Sequence, residues 1–134
     1  MPKGWLLDAA AGADELQLLL VAESGPGIID AFCLTTRVLD EASLLLIAVR
    51  PCMRGRGLGQ VLLRATLKAL LARGIVRCLL EVRRSNAVAL SLYERCGFAR
   101  YGVRRGYYPP CEHRDREDAI VMSWESREAE HGGS

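Results

Sequence analysis

The sequence predicts a mixed α/β fold, a mostly antiparallel sheet flanked by helices, and three observations carry that prediction. The apolar run at residues 44–49 (LLLIAV) is short enough for a buried strand, and a glycine- and arginine-rich turn leads from it into a long segment of helical periodicity. Two further apolar, strand-like runs precede it on short turns, which implies an antiparallel meander. A second strand-then-helix pair follows, and two more strand-like stretches close the chain. The expected order is β-β-β-α-β-α-β-β, with strands 44–49 and 75–82 parallel through a right-handed crossover.

Taken in order, residues 1–15 combine apolar Trp5, Leu6 and Leu7 with an alanine-rich stretch at 9–13 that favours a helix and a Gly12 that weakens it. Residues 16–23 (LQLLLVAE) read as a buried strand, and Ser24-Gly25-Pro26-Gly27 is a turn by composition. The run 28–39 is strand-like, supported by its threonines and valine. Asp40-Glu41 turns into the central strand, which Pro51, lacking an amide hydrogen, ends. Leu63, Leu67, Leu70 and Leu71 recur at helical spacing across 58–73, with Arg64 and Lys68 off the stripe and Gly74 as a left-handed stop. After strand 75–82, Ser85 and Asn86 offer N-caps for a helix over 87–96, which Gly97 ends. Residues 98–104 have strand potential, 106–117 form a long loop and 118–124 a last strand. Residues 1–125 form one domain, and 126–134 are a polar, disordered tail.

The turn Arg54-Gly55-Arg56-Gly57-Leu58-Gly59 joins a strand to a helix N-terminus, where amides lack carbonyl partners and the helix dipole is positive. Glycines let those amides approach a ligand and two arginines add charge, the features of a phosphate cradle. Spacing narrows the type. A Walker loop needs Gly-Lys-Ser/Thr, but Gln60 and Val61 follow Gly59. A dinucleotide fingerprint needs a third glycine where Gln60 or Leu62 stands, although Glu81 sits where a ribose-binding acid would. A basic turn without a ligand is the plain alternative.

Composition limits the partners. A chain of 134 residues, half hydrophobic and a quarter charged, is an ordinary globular domain. Its net charge of +2 gives no case for nucleic acid, whereas Arg50, Arg54 and Arg56 gathered at one loop suit a polyanionic small ligand. The five cysteines, Cys33, Cys52, Cys78, Cys96 and Cys111, are odd in number and widely spaced, so no disulfide framework is indicated. Cys33 and Cys78 read as core thiols, and Cys111 with His113 lacks the further ligands of a metal site. With no signal peptide and no stretch of membrane-spanning length, the chain reads as cytoplasmic and reduced, with no membrane partner.

Four ordered blocks, IAV at 47–49, RGRGLG at 54–59, LEVRRSNAVALSLYERCGF at 80–98 and GYYPPCEHRDREDAIVM at 106–122, resemble the GNAT family of acetyl-CoA-dependent N-acetyltransferases. Within it the likeness is to the bacterial ribosomal-protein alanine N-acetyltransferases (RimI type). The resemblance implies the GNAT fold with a shortened N-terminal lobe, acetyl-CoA as acetyl donor, and a protein N-terminus as acceptor. It assigns the acyl group and pantetheine arm to Ile47, Ala48 and Val49, and the pyrophosphate to Arg54, Gly55, Arg56, Gly57, Leu58, Gly59 and Gln60. Asn86 would bond the pantetheine portion, Glu81 would be the general base, Tyr93 the general acid, and Tyr107 and Tyr108 would border the acceptor channel. The chemistry is consistent with those roles. An α-amine of pKa about 7.7–8.0 must lose a proton to attack a thioester. Burial of Glu81 would improve it as a base, and a tyrosine hydroxyl can supply the proton that the leaving thiolate needs.

Each residue also has a plainer reading. Glu81 can be a strand acid paired with Arg83 or a neighbouring arginine, Tyr93 a core aromatic, Asn86 a helix cap, and Tyr107 and Tyr108 loop aromatics. For the whole chain the alternatives are a lysine or small-amine acetyltransferase, a non-catalytic acyl-CoA-binding or partner-binding module, and, more distantly, a nucleotide-binding regulator. The short N-terminus would expose the strand at 16–23 as a sheet edge, which could pair with a second subunit.

Overall fold

The computed structural model describes residues 6–11, 16–109 and 117–126. Among them the elements are β1 (Leu6–Ala11), β2 (Gln17–Gly25), β3 (Ile28–Val38), β4 (Glu41–Val49), α1 (Leu58–Ala72), β5 (Arg77–Arg83), α2 (Ala87–Arg95), β6 (Ala99–Tyr108) and β7 (Glu117–Glu125). All seven strands join one sheet in the order β1-β2-β3-β4-β5-β7-β6. Only β4 and β5 run parallel, joined through α1, so the sheet is mixed and mostly antiparallel as the sequence predicts. No described helix is long and apolar enough to cross a membrane.

The start of the chain departs from expectation. Residues 6–11 form a strand, not the beginning of a helix. Alanine's helical preference is worth under about 1 kcal/mol per residue, and a continuous ladder with β2, from Leu6↔Glu23 to Ala11↔Leu18, outweighs it. β2 is therefore not a sheet edge; the edges among the described residues are β1 and β6. The end of the chain departs too. Gly106, Tyr107 and Tyr108, expected in a loop, belong to β6, whose ladder with β7 is irregular between Arg104 and Tyr108. Ser126, the first residue of the expected tail, is buried, and its amide donates to the Val76 carbonyl at 2.9 Å. Trp5, Cys111, His113 and the rest of the tail lie outside the described residues.

Strand alternation places Leu18, Leu20 and Ala22 of β2, Ala31 and Cys33 of β3, and Cys78, Leu80 and Val82 of β5 in one hydrophobic cluster. Leu58, Leu62, Leu63, Leu67 and Leu70 of α1 and Leu90 and Tyr93 of α2 complete it, each large apolar side chain contributing about 1.5–3 kcal/mol on burial. Both helices thus cover the same sheet face. Leu79, Glu81 and Arg83 of β5 point to the other, which no described helix covers.

The central strand breaks its pairings at one place. β4 pairs with β3 up to Thr35↔Leu44 and resumes at Leu34↔Leu46, leaving Leu45 as a bulge. With β5 it pairs only at Glu41↔Arg77, Ala42↔Cys78 and Ser43↔Leu79. A bulge bends and twists its strand, and here the two parallel strands diverge from that point on. Leu45 and Leu46, expected to be buried, are 52% and 49% exposed.

Gly97 ends α2 with φ 98°, and a Cβ there would lie 3.3 Å from Trp124 Cδ1. Gly97→Ala is expected to destabilise the chain by about 1–3 kcal/mol, combining left-handed strain with that close contact. Urea unfolding should show the midpoint falling with the slope unchanged.

Candidate active site

At the end of β4 the chain passes through Arg50 and a 3-10 turn, Pro51–Met53, before reaching the glycine-rich loop. Arg50 anchors this junction: its amide donates to the Asp30 carbonyl and its guanidinium to Asp30 Oδ1, both at 2.7 Å. The Asp30 side chain is fully buried and its Oδ2 has no hydrogen-bond partner among the described residues. Arg54 Nε donates to the Val49 carbonyl at 3.0 Å, folding the loop back on the strand. Gly55 and Gly57 then take left-handed conformations (φ 78° and 80°), and Gly57 is the N-cap of α1. The first helical bond runs from Val61 N to Gly57 O, so the amides from Gly55 to Gln60 have no backbone acceptor among the described residues. Leu58 is buried, and Gly59 brings the start of α1 against Leu92 and Val49. In the orientation that satisfies both side chains, the Gln60 amide oxygen accepts from Arg64. Ile47 and Val49 pack on the helical side of β4, while the strand edge facing β5 is unpaired from Leu44 onward.

Glu81 lies on the open face of β5. Its side chain is 29% exposed and its Oε1 is 3.1 Å from Arg104 of β6, so the burial expected from sequence is not found and its arginine partner is not Arg83. Arg104 also stacks over Tyr107, 5.2 Å from the ring centroid. A parallel set lies beside it: Arg83 is 4.2 Å from the Tyr108 ring centroid and 3.5 Å from Glu117, which accepts from the Ser85 amide at 2.6 Å. Hydrogen bonding from the Ser85 side chain first, then from its amide and the Arg83 guanidinium, holds the Glu117 carboxyl below its ordinary pKa. Two Tyr–Arg–Glu sets therefore tie the end of β6 to β5 and to the turn before α2.

Tyr93 comes from the helical side. Its ring packs against Phe98 at 5.8 Å. Burial, reinforced by Cys33 and Tyr108, pushes its phenol up to about 12. Tyr93 belongs to the hydrophobic cluster on the helical side of the sheet. Burial and the nearby Glu81 raise the Tyr108 phenol as well. Tyr107 is exposed, its ring set edge-on to Tyr108 at 5.1 Å and turned toward Arg104. Asn86 caps α2, its Oδ1 accepting from Ala89 N at 3.1 Å, and its side-chain NH2 has no acceptor among the described residues. A cleft of about 440 Å³ lined by residues such as Ser91, Glu94, Arg95 and Arg100 contains none of these groups.

Sequence reading passed over Asp30, Arg104 and Glu117. The ion pair of Arg104 with Glu81 requires knowing that β7 lies between β5 and β6, a non-sequential order that local spacing does not reveal. The only available hint was the alternation in GVRRGYY, which puts Arg104 and Gly102 on one face.

The family model for the acetyltransferase (GNAT) family matches residues 5–98. The chain belongs to the GNAT family. Among GNAT relatives, the [ribosomal protein bS18]-alanine N-acetyltransferase of Salmonella typhimurium is 50% identical over 93 residues, covering 69% of this chain and 62% of that protein. Its Haemophilus ducreyi counterpart is 39% identical over 121 residues, 90% of this chain and 80% of that protein. The chain thus spans less than two thirds of the Salmonella protein's length. The crystal structure of the ribosomal-protein-S18-alanine N-acetyltransferase from Escherichia coli superposes with a TM-score of 0.70 at 38% identity, covering 93% of this chain and 71% of that one. An IAA acetyltransferase from Bacillus cereus shares the GNAT fold, with a TM-score of 0.77 at 18% identity over 91% of this chain and 99% of that one.

A Tyr93 phenol held near 12 should be separable from the other tyrosines by alkaline titration of phenolate absorbance. The highest-pH component is expected to vanish in Tyr93→Phe. Because the folded chain holds this proton more tightly than the unfolded chain, stability should fall as pH rises from about 10 towards that value, and less steeply in the variant.

Proposed function

We propose that the chain is an acetyl-CoA-dependent N-acetyltransferase acting on the N-terminal α-amine of a protein, of the ribosomal-protein alanine type, by direct attack in a ternary complex. The observation that carries the reading is the edge of β4 left unpaired by β5, followed by a helix N-terminus whose six successive amides, Gly55 to Gln60, have no backbone acceptor among the described residues, with two arginines in the loop. Such an edge suits an extended amide-bearing arm, and such a loop suits a diphosphate. In this reading the strand at Ile47, Ala48 and Val49 bonds the acyl group and pantetheine. Arg54, Gly55, Arg56, Gly57, Leu58, Gly59 and Gln60 surround the diphosphate, and the NH2 of Asn86 donates to the pantetheine portion.

Glu81 takes a proton from the acceptor ammonium, directly or through one water, and the neutral amine attacks the thioester carbon. Amides on the β4 edge stabilise the oxyanion that forms. The C–S bond then breaks and Tyr93 donates to the leaving sulfur. A free thiol titrates near about 8.5, well below this phenol, but desolvation raises the thiol too and narrows the gap. Tyr107 and Tyr108 border the acceptor's first residues, whose identity as a ribosomal protein N-terminus rests on the relatives' names. Such an acceptor would be met in the cytoplasm.

The test is release of CoA thiol from acetyl-CoA with an alanine-initiated peptide, against a lysine peptide whose N-terminus is blocked. Transfer is expected only to the free N-terminus, with kcat falling by about 10²–10⁴ in Glu81→Gln and in Tyr93→Phe. Full activity in both variants, or transfer to the lysine alone, would contradict the assignment.

A further inference from the structure

Three arginines stand with tyrosines on the helix-free side of β5 and β6, and their acidic partners differ. Arg77 lies near Glu41 and Glu125, and Arg83 near Glu117. Arg104 is ion-paired with Glu81, at 3.1 Å. β7 lies between them, with Ala119 registered opposite both Arg83 and Arg104 and fully buried. A residue with no side chain beyond Cβ leaves the Arg104 stem room to reach across the sheet. The Arg104 side chain is 57% exposed, and its guanidinium also lies over the exposed ring of Tyr107. Glu81 Oε2 makes no hydrogen bond to a described residue.

We propose that Arg104 is a displaceable latch on Glu81, occupying the carboxylate in the empty protein and giving it up to the acceptor's α-ammonium. The inference rests on the reading of Glu81 as the base. One partly exposed carboxylate carries one negative charge, so a guanidinium and an ammonium held on it together repel one another. The guanidinium is the one that can leave at little cost, because its long stem can return it to water and exposed pairs are weak. An acceptor residue packing on Tyr107 would remove the other contact and assist release. A proton then passes from the ammonium nitrogen to a Glu81 oxygen, leaving the neutral amine. Arg104 is in this account a positioning and specificity residue: it sets a threshold that a charged amine crosses and a neutral N-terminus does not.

The test measures peptide binding to protein saturated with CoA, which carries no acetyl group and permits no turnover. Arg104→Gln and Arg104→Met should bind a free-amine, alanine-initiated peptide about two- to fivefold more tightly than the wild type. Affinity for CoA and for the N-acetylated peptide should not change, which also verifies folding. Arg104→Lys, which keeps the charge, should bind like the wild type, and Arg104→Gln should give no gain in a Glu81→Gln background. Unchanged or weaker binding of the free amine, or an equal gain for the acetylated peptide, overturns the latch. A wild-type protein that binds CoA but transfers acetyl to no amine overturns the proposed function and the latch with it. Wild-type transfer with unaltered binding in Arg104→Gln overturns the latch alone.

Discussion

Everything around the candidate site follows from the loss of pairing between β4 and β5 after Ser43. Leu45 inserts one residue into the ladder with β3, the strand bends, and its parallel neighbour no longer follows. A strand in the middle of a sheet ordinarily satisfies both edges, since an unpaired backbone group away from water is costly. This one leaves an edge open over residues 45–49, along with two half-exposed leucines. Beyond the bonded turn at 50–54, the first amides of α1 also lack backbone acceptors among the described residues. Divergence and helix N-terminus thus supply two groups of backbone donors, one on the β4 edge and one from Gly55 to Gln60, on either side of the internally bonded turn at 50–54.

The two faces of the sheet divide the chemistry. On the helical side, burial pushes the Cys33 and Cys78 thiols up to about 11 and 12 and keeps Tyr93 protonated, so that face holds neutral groups. The open side carries charge in compensated sets, with Glu81 and Glu117 each beside an arginine that also lies over a tyrosine ring. At the loop's base the arrangement is costlier. The Asp30 carboxylate is out of solvent with one oxygen on Arg50 and the other without a hydrogen-bond partner among the described residues, and an imperfectly satisfied buried charge is tolerated only where something fixes it. What it fixes here is the junction between β4 and the glycine turn.

The strand–turn–helix unit was legible because glycine, proline and apolar period all act within a few residues, and Asn86 was legible as a cap for the same reason. Residues 6–11 were not, because alanine's weak preference is overridden by a partner strand whose presence local sequence cannot report. The apolar run at 44–49 predicted burial because hydrophobicity registers side chains and not the absence of a neighbouring strand. Glu81 was legible as the one acid of its strand, but its partly exposed setting beside Arg104 depends on β7 lying between β5 and β6. Side-chain identity was readable where the physics is local; environment was not where it is set by strand order.

The most direct test of the account is amide hydrogen exchange at residues 45–49 and 55–60, with and without CoA. If the open edge and the helix N-terminus both serve this ligand, exchange should slow in both segments together, on either side of the internally bonded turn at 50–54. Protection confined to the cleft around Ser91, Glu94 and Arg100, or no change in either segment at saturating CoA, would contradict it.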